Sequence, residues 1–260
     1  MLTERRIWGH LAGLDTGIFG TSVYFYPEVG STNDVAKELA AQHAPEGTVV
    51  LADFQLAGRG RLGRSWMAPP GSSLLTSVLF RPELHVERIH RLVMVVALAM
   101  ADACYDVAGV QIDVKWPNDL LIGGRKVAGI LPESAIQGNR TAWVIVGIGV
   151  NVNQHFDEEH PLAHLAISLC EAAGHDINRV NLFGTFLVHL NRWHQHLPDD
   201  SLHTAWRSRC TTLGQQVEIS LPHGTVRGEA ADIDGDGAQW VRTDAGVRRI
   251  VAGEATIVTR

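Results

Sequence analysis

The sequence predicts an α/β (α+β) unit, a mixed sheet with flanking helices, followed by a small all-β barrel. Three observations predict it. Apolar runs of strand character alternate with helix-like segments up to about residue 210. One long segment, Val86–Ala108, is apolar nearly all round and reads as a buried helix. Beyond Cys210 the pattern changes to short strands separated by Gly/Asp turns. Residues 1–210 are therefore expected to form the larger domain and 211–260 the smaller.

In chain order, residues 1–21 carry no strong pattern, and Leu14–Thr21 is loop-like. Val23–Tyr26 is a strand stopped at Pro27, and Val35–Ala40 a helix preceded by cap-type residues. Strands follow at Thr48–Ala52 and Leu74–Phe80, separated by a Gly/Arg-rich loop over 57–64. Leu120–Ile122 and Arg125–Leu131 flank Gly123-Gly124 as a hairpin, and Ala142–Val152 is an apolar strand. Helices are expected over 161–174 and 180–197, the second continuing to about 208. The final strands are Gln216–Leu221, Thr225–Ile233, Gln239–Thr243 and Val247–Thr259.

The 260 residues are 45% hydrophobic, enough for one substantial core and a small appendage. The longest apolar run, Leu92–Ala101, is about half of what a membrane helix needs. Met1–Arg6 lacks a signal-type apolar core, so no membrane and a cytoplasmic location are expected. Cys104, Cys170 and Cys210 are too few and too scattered for a disulfide framework. A net charge of −6 disfavours a protein built to grip nucleic acid. His160 and His164 have helical spacing but no third metal ligand. Of 22 basic residues only Lys37, Lys115 and Lys126 are lysine. Codon bias is the plain cause, but arginine cannot serve as a compact ammonium at a reacting centre.

Gly58-Arg59-Gly60-Arg61-Leu62-Gly63-Arg64 alternates glycine with arginine. Glycines let backbone amides approach an anion, and guanidinium groups match carboxylate and phosphate oxygens. Such a loop suits a ligand carrying both groups and is expected to close over it, excluding water. The alternative is a solvated Gly/Arg turn. The run lacks a Walker A ending and carries bulky arginines where a dinucleotide fingerprint needs small residues.

Lys115-Trp116-Pro117-Asn118-Asp119 combines an indole, a rigid turn and two short polar side chains. Asn118 and Asp119 suit ATP phosphates, directly or through Mg2+, although turn chemistry alone also explains them. Lys126 suits neutralisation of charge developing on an α-phosphate, the alternative being a plain solubilising lysine, which the rarity of lysine in this chain disfavours. Gly129, Gly147 and Gly149 within strands mark close approach by a ligand or backbone. Ser31-Thr32-Asn33 offers hydroxyl and amide groups at a helix start, where plain N-capping is the alternative.

Taken together, Ser31-Thr32-Asn33, Gln55 with the loop through Trp66, the Lys115–Leu120 turn, Arg125–Leu131 with Glu133, and Gly147–Asn151 resemble the biotin–protein ligase family. The resemblance covers 31–151 in order and spacing, and extends to the C-terminal β segment. It implies a catalytic domain related to the class II synthetase-like fold. It also implies attack of the biotin carboxylate on ATP, giving biotinyl-adenylate and pyrophosphate, then transfer to a lysine of a biotin carboxyl carrier domain. Carried over residue by residue, Ser31, Thr32, Asn33, Gln55, Gly58, Arg59, Gly60, Arg61, Gly129 and Gly147 would bind biotin. Arg64, Trp66, Asn118, Asp119 and Asn151 would hold the adenylate, Trp66 as a lid on adenine. Arg61 would screen the phosphate, and Lys126 would bridge carboxylate and phosphate. ATP, Mg2+ and biotin are the implied small molecules.

The sequence departs from the family at Leu62, where many relatives carry another arginine, and it shows no N-terminal DNA-binding domain, so no DNA partner is expected. A homodimer through a sheet edge near the loop occurs in the family; the sequence leaves it open. Three rival readings predict different features. A lipoate or octanoate ligase or transferase would show a different lysine motif. A nucleic-acid-binding protein would show a basic or aromatic stripe in 211–260. A biotin-binding pseudo-enzyme would not need Lys126, Asp119 and the loop arginines.

Overall fold

A computed structural model describes residues 2–137 and 140–258. Thr259, at the end of the last predicted strand, and Met1 lie outside the described residues. The larger sheet holds β1 (Val23–Val29), β2 (Val49–Gln55), β3 (Ser73–Phe80), β4 (Asp113–Lys115), β5 (Asp119–Ile122), β6 (Arg125–Gln137) and β7 (Arg140–Asn151). Their order is β1-β2-β3-β7-β6-β5-β4, with β1–β2 parallel and the other pairs antiparallel. This is the mixed sheet the sequence predicts.

Several elements differ from expectation. Helix α1 (Glu4–Leu11) forms where no pattern was read. Thr3 caps it by accepting the Arg6 amide, and Ile7 and Leu11 give it one buried face. β1 runs through Pro27 because it is an edge strand, where a missing N–H breaks no ladder. The buried helix begins later, as α3 (His90–Ala108). The helix expected over 161–174 shrinks to α4 (Leu169–Ala173), so His160 and His164 share no helical face. The next splits into α5 (Arg179–Gln195) and α6 (Asp200–Arg209). Pro198 cannot continue α5, and Asp199 caps α6 through the Ser201 amide. The strand expected from Val247 is two, β11 (Gly246–Ile250) and β12 (Glu254–Ile257). With β8 (Gln216–Leu221), β9 (Gly224–Ile233) and β10 (Gln239–Thr243) they form an antiparallel sheet, β11-β10-β9-β8-β12.

Alternation along the strands gives the larger sheet two different faces. Leu74, Val78 and Phe80 of β3 and Val144, Val146, Ile148 and Val150 of β7 join α3 and α5 in the main core. On the other face α2 (Thr32–Ala41) packs Ala36 and Ala40 on Val50, Leu79 and Ile145. Gly147 and Gly149 of β7 lie on this second face, against Asn33 and Trp66.

The two sheets share one core, which includes Val217, Ile219, Ala230, Val241 and Ala255. Polar groups fasten the seam. Trp116, 1% exposed, donates its indole N–H to the Gly237 carbonyl at 2.9 Å. Arg91, equally buried, donates to the carbonyls of Leu197, Gly235 and Asp199 at 2.9, 2.5 and 2.6 Å. Beside them the His90 ring meets Trp206 edge-on at 5.7 Å, and its Nε2 is a buried atom with no hydrogen-bond partner.

Burial pushes the His90 imidazole down to about 4, and the Arg61 charge acts in the same direction. The unfolded chain takes up this proton near pH 6.5, while the folded chain resists it until about pH 4. Stability present above pH 6.5 is therefore expected to fall by up to about 3 kcal/mol as pH drops through that window. Urea unfolding against pH should show a shallower fall for His90→Phe; parallel profiles would reject this assignment.

Candidate active site

The polar floor of the site begins at the first turn of α2. Ser31 occupies the N-cap position, yet its hydroxyl makes no cap hydrogen bond, so plain capping does not explain it. Thr32 donates its amide and hydroxyl to Gln55 Oε1 at 2.7 and 2.9 Å. Ser77 of β3, which sequence reasoning missed, lies 2.7 Å from the Thr32 hydroxyl and 2.6 Å from Asn33 Oδ1. Asn33 donates to Glu133 Oε2 at 2.7 Å. Burial works against the Glu133 carboxylate, but Lys37, Asn33 and Arg59 hold it below its ordinary range.

Behind this floor three glycines bare the sheet. A Cβ at Gly147 would stand 2.2 Å from Asn33 Oδ1, and one at Gly149 2.6 Å from the Trp66 indole. At Gly129 it would meet Lys126 at 3.0 Å and Trp66 at 3.2 Å. Gly149 pairs with Gly129 across β6–β7, so the two clear one patch. Only Gly149 was absent from the expected site residues.

The arginine–glycine loop covers the opening. Its three arginines have different partners. Arg59 pairs with Asp34 at 2.6 and 2.7 Å. Arg61 donates to Asn118 Oδ1 at 2.9 Å and to the Gly253 carbonyl at 2.8 Å. Arg64 pairs with Glu254, the next residue, which opens β12 of the smaller sheet. Burial lowers the Arg61 guanidinium from its usual value, against the pull of the Asp119 and Glu254 carboxylates. The loop turns at Leu62, a non-glycine residue with φ of 55° and an exposed side chain. Gly58 lies under the carbonyl of Trp66, where a Cβ would come within 2.3 Å.

On the far wall Asn118 donates to the Ile130 carbonyl at 2.8 Å, which fixes the turn on β6. Lys126 Nζ lies 2.6 Å from Asp119 Oδ1 and 5.8 Å from the centre of a Trp66 ring. Trp66 Nε1 is buried without a hydrogen-bond partner.

These groups line one partly open cleft. It is lined by Ser31, Thr32, Asn33, Gln55, Arg59, Gly60, Arg61, Arg64, Trp66, Asn118, Asp119, Lys126, Gly129 and Gly147, all expected from the sequence. Lys115, Leu131, Gly149, Glu254 and Ala255 join them. Gly58 and Asn151 do not line it. Asn151 instead donates to the carbonyls of Lys126 and Ile167, behind the catalytic lysine candidate. The Glu254 contribution had no signal in the motif region, because it arrives from the other sheet.

Residues 26–151 match the model of the biotin/lipoate A/B protein ligase family, and residues 212–257 that of the biotin protein ligase C-terminal domain. The biotin–[acetyl-CoA-carboxylase] ligase of Mycobacterium tuberculosis is 33% identical, over 99% of this chain and 95% of its own length. The chain belongs to the biotin protein ligase family. The bifunctional ligase/repressor BirA of Bacillus subtilis is 34% identical over 93% of this chain and 76% of that protein. The Aquifex aeolicus biotin protein ligase in complex with biotin and ATP superposes with a TM-score of 0.77 at 28% identity, over 92% of this chain and 100% of that one. No helix among the described residues of this family member is long and apolar enough to cross a membrane.

The glycine floor yields a direct test. Gly147→Ala should force Asn33 from its bonds with Ser77 and Glu133 and cost about 1–3 kcal/mol. Urea unfolding measures it, and a loss below about 0.5 kcal/mol would mean that the floor tolerates a methyl group.

Proposed function

We propose that this chain activates biotin with ATP and transfers it to a lysine of a biotin carboxyl carrier domain. The observation that carries the reading is the convergence of the loop arginines, the Lys115–Asp119 turn and Lys126 on one cleft whose back is bared by glycines. Family membership makes the chain a ligase, and relatives bind biotin and ATP.

In the first step a biotin carboxylate oxygen attacks the α-phosphorus. The bond to the pyrophosphate oxygen breaks, and pyrophosphate leaves with the electron pair. Binding two anions side by side demands cations held in advance, and no protein nucleophile is needed. Ser31, Thr32, Asn33, Gln55, Arg59, Gly60, Gly129 and Gly147 are assigned to the biotin end. Arg64, Trp66, Asn118 and Asp119 are assigned to the adenylate, with Lys126 and Arg61 between the two. Gly58 and Asn151 are given supporting places, shaping the loop and the backbone of Lys126. In the second step a neutral lysine amine of the acceptor attacks the acyl carbon. The bond to the phosphate oxygen breaks, AMP leaves, and the surplus amine proton goes to solvent.

Asp119 is the carboxylate paired with Lys126 in the cleft, and Glu254 lines the same cleft from the smaller sheet. Among the described residues no group of three or more potential protein ligands gathers for a metal ion. This donor set fits Mg2+ held mainly by ATP phosphates with Asp119 beside it, where it would add charge neutralisation. Residues 1–210 are taken as the catalytic domain and 211–260 as a small domain completing the cleft, and a cytoplasmic location fits the reading.

Incubation with Mg-ATP, biotin and a carboxylase carrier domain should add one biotin to one carrier lysine, read by intact mass. A lipoyl domain modified instead would move the chain to the lipoate branch. Lys126→Ala should slow adenylate formation about a hundredfold or more while retaining most biotin affinity. Full-rate adenylation, or complete loss of biotin binding, would contradict the role of Lys126.

A further inference from the structure

Lys37 is the one lysine that neither the Lys115–Asp119 turn nor the cleft accounts for. It sits on α2, one helical turn after Asn33 and Asp34, and so shares their face. Its Nζ lies 2.8 Å from Asp34 Oδ1 and 2.9 Å from Glu133 Oε1. Arg59 approaches the same two carboxylates from the loop, at 2.6 and 2.7 Å on Asp34 and 3.4 Å on Glu133. Two cations and two carboxylates thus close a ring. Glu133 links the ring to the polar floor through Asn33.

We propose that Lys37 is a positioning residue: it holds Asp34 and Glu133 so that they fasten Arg59, and with it the ligand loop, to α2 and β6. The inference rests on the reading of the cleft as a biotin site. Lys37 itself touches no ligand. Without it, Arg59 is left as the one cation of the ring facing two carboxylates. Glu133 then loses the partner that lets it hold Asn33 and Arg59 together. Burial opposes the Lys37 ammonium, but its two carboxylates raise it above its usual value, and Arg59 holds the Asp34 carboxyl well below the usual range. The ring therefore stays fully charged through the neutral range. Its members are between 29% and 45% exposed, so single pairs are worth little and salt weakens them. Lys126 and Asp119, the groups assigned to the phosphate, pair with each other and take no part in the ring.

Loss of Lys37 should therefore loosen retention of biotin and leave the chemical step intact. Pyrophosphate release is measured at saturating ATP with biotin varied, for wild type, Lys37→Met, Lys37→Arg and Glu133→Gln. Lys37→Met should raise KM for biotin about five- to tenfold with kcat within about twofold. Lys37→Arg, which can span both carboxylates, should recover KM to within about twofold of wild type. Raised salt should increase KM for wild type more than for Lys37→Met. Glu133→Gln should act in the same direction, and it carries the test if Lys37→Met does not fold. A KM unchanged in Lys37→Met, a loss confined to kcat, or no rescue by arginine would overturn the proposal. Wild type silent with biotin would instead overturn the biotin reading beneath it.

Discussion

The site depends on close approach between β6 and β7 and the side chains laid against them. Along β7, Val144, Val146, Ile148 and Val150 face the main core, and the residues between them face α2 and the cleft. At 147 and 149 those alternate positions are glycine, as is Gly129 opposite Gly149. The same two strands therefore contribute full apolar packing to one face and bare backbone to the other. Asn33 fills the space over Gly147, and Trp66 the space over Gly149. A side chain at either position would displace a group to which a binding role is assigned.

The second requirement is a fixed seam between the sheets. Trp116 reaches Gly237, and the turn it begins carries Asn118 and Asp119 into the cleft. Arg61 and Arg64 then connect the arginine–glycine loop to Gly253 and Glu254, at the start of β12. The loop thus has two kinds of anchorage. Arg59 ties it to α2 and β6 of the larger sheet, and the later arginines tie it to the smaller one. Closure over a ligand would involve both sheets together. That arrangement suits a reaction whose activated intermediate must be kept from water.

Much of this was legible in the sequence because the informative residues are local. The loop, the Lys115–Asp119 turn and the strand glycines each announce their chemistry within a few residues, and the structure gathers nearly all of them around one cleft. What was not legible is long-range. Ser77 is an unremarkable serine in an apolar strand until α2 brings Thr32 and Asn33 against it. Glu254 belongs to a different sheet. Asn151 stands at the end of the right strand, but only the position of Ile167 shows that its amide is spent on backbone carbonyls. Helix α1 was missed although Thr3, Ile7 and Leu11 carry its cap and buried face, because eight residues give too short a periodic signal. The helices after residue 160 were overextended for the opposite reason: apolar content alone does not show where Pro198 interrupts the backbone.

The central claim is that a glycine-backed cleft, roofed by arginines and walled by Lys126, holds the biotin carboxylate against the α-phosphate of ATP. Exchange of labelled pyrophosphate into ATP, run with biotin, lipoate and octanoate in parallel, tests it without any acceptor protein. Exchange that depends on biotin and is absent with lipoate and octanoate is the predicted result. Exchange driven by lipoate or octanoate alone, or by none of the three, would contradict it.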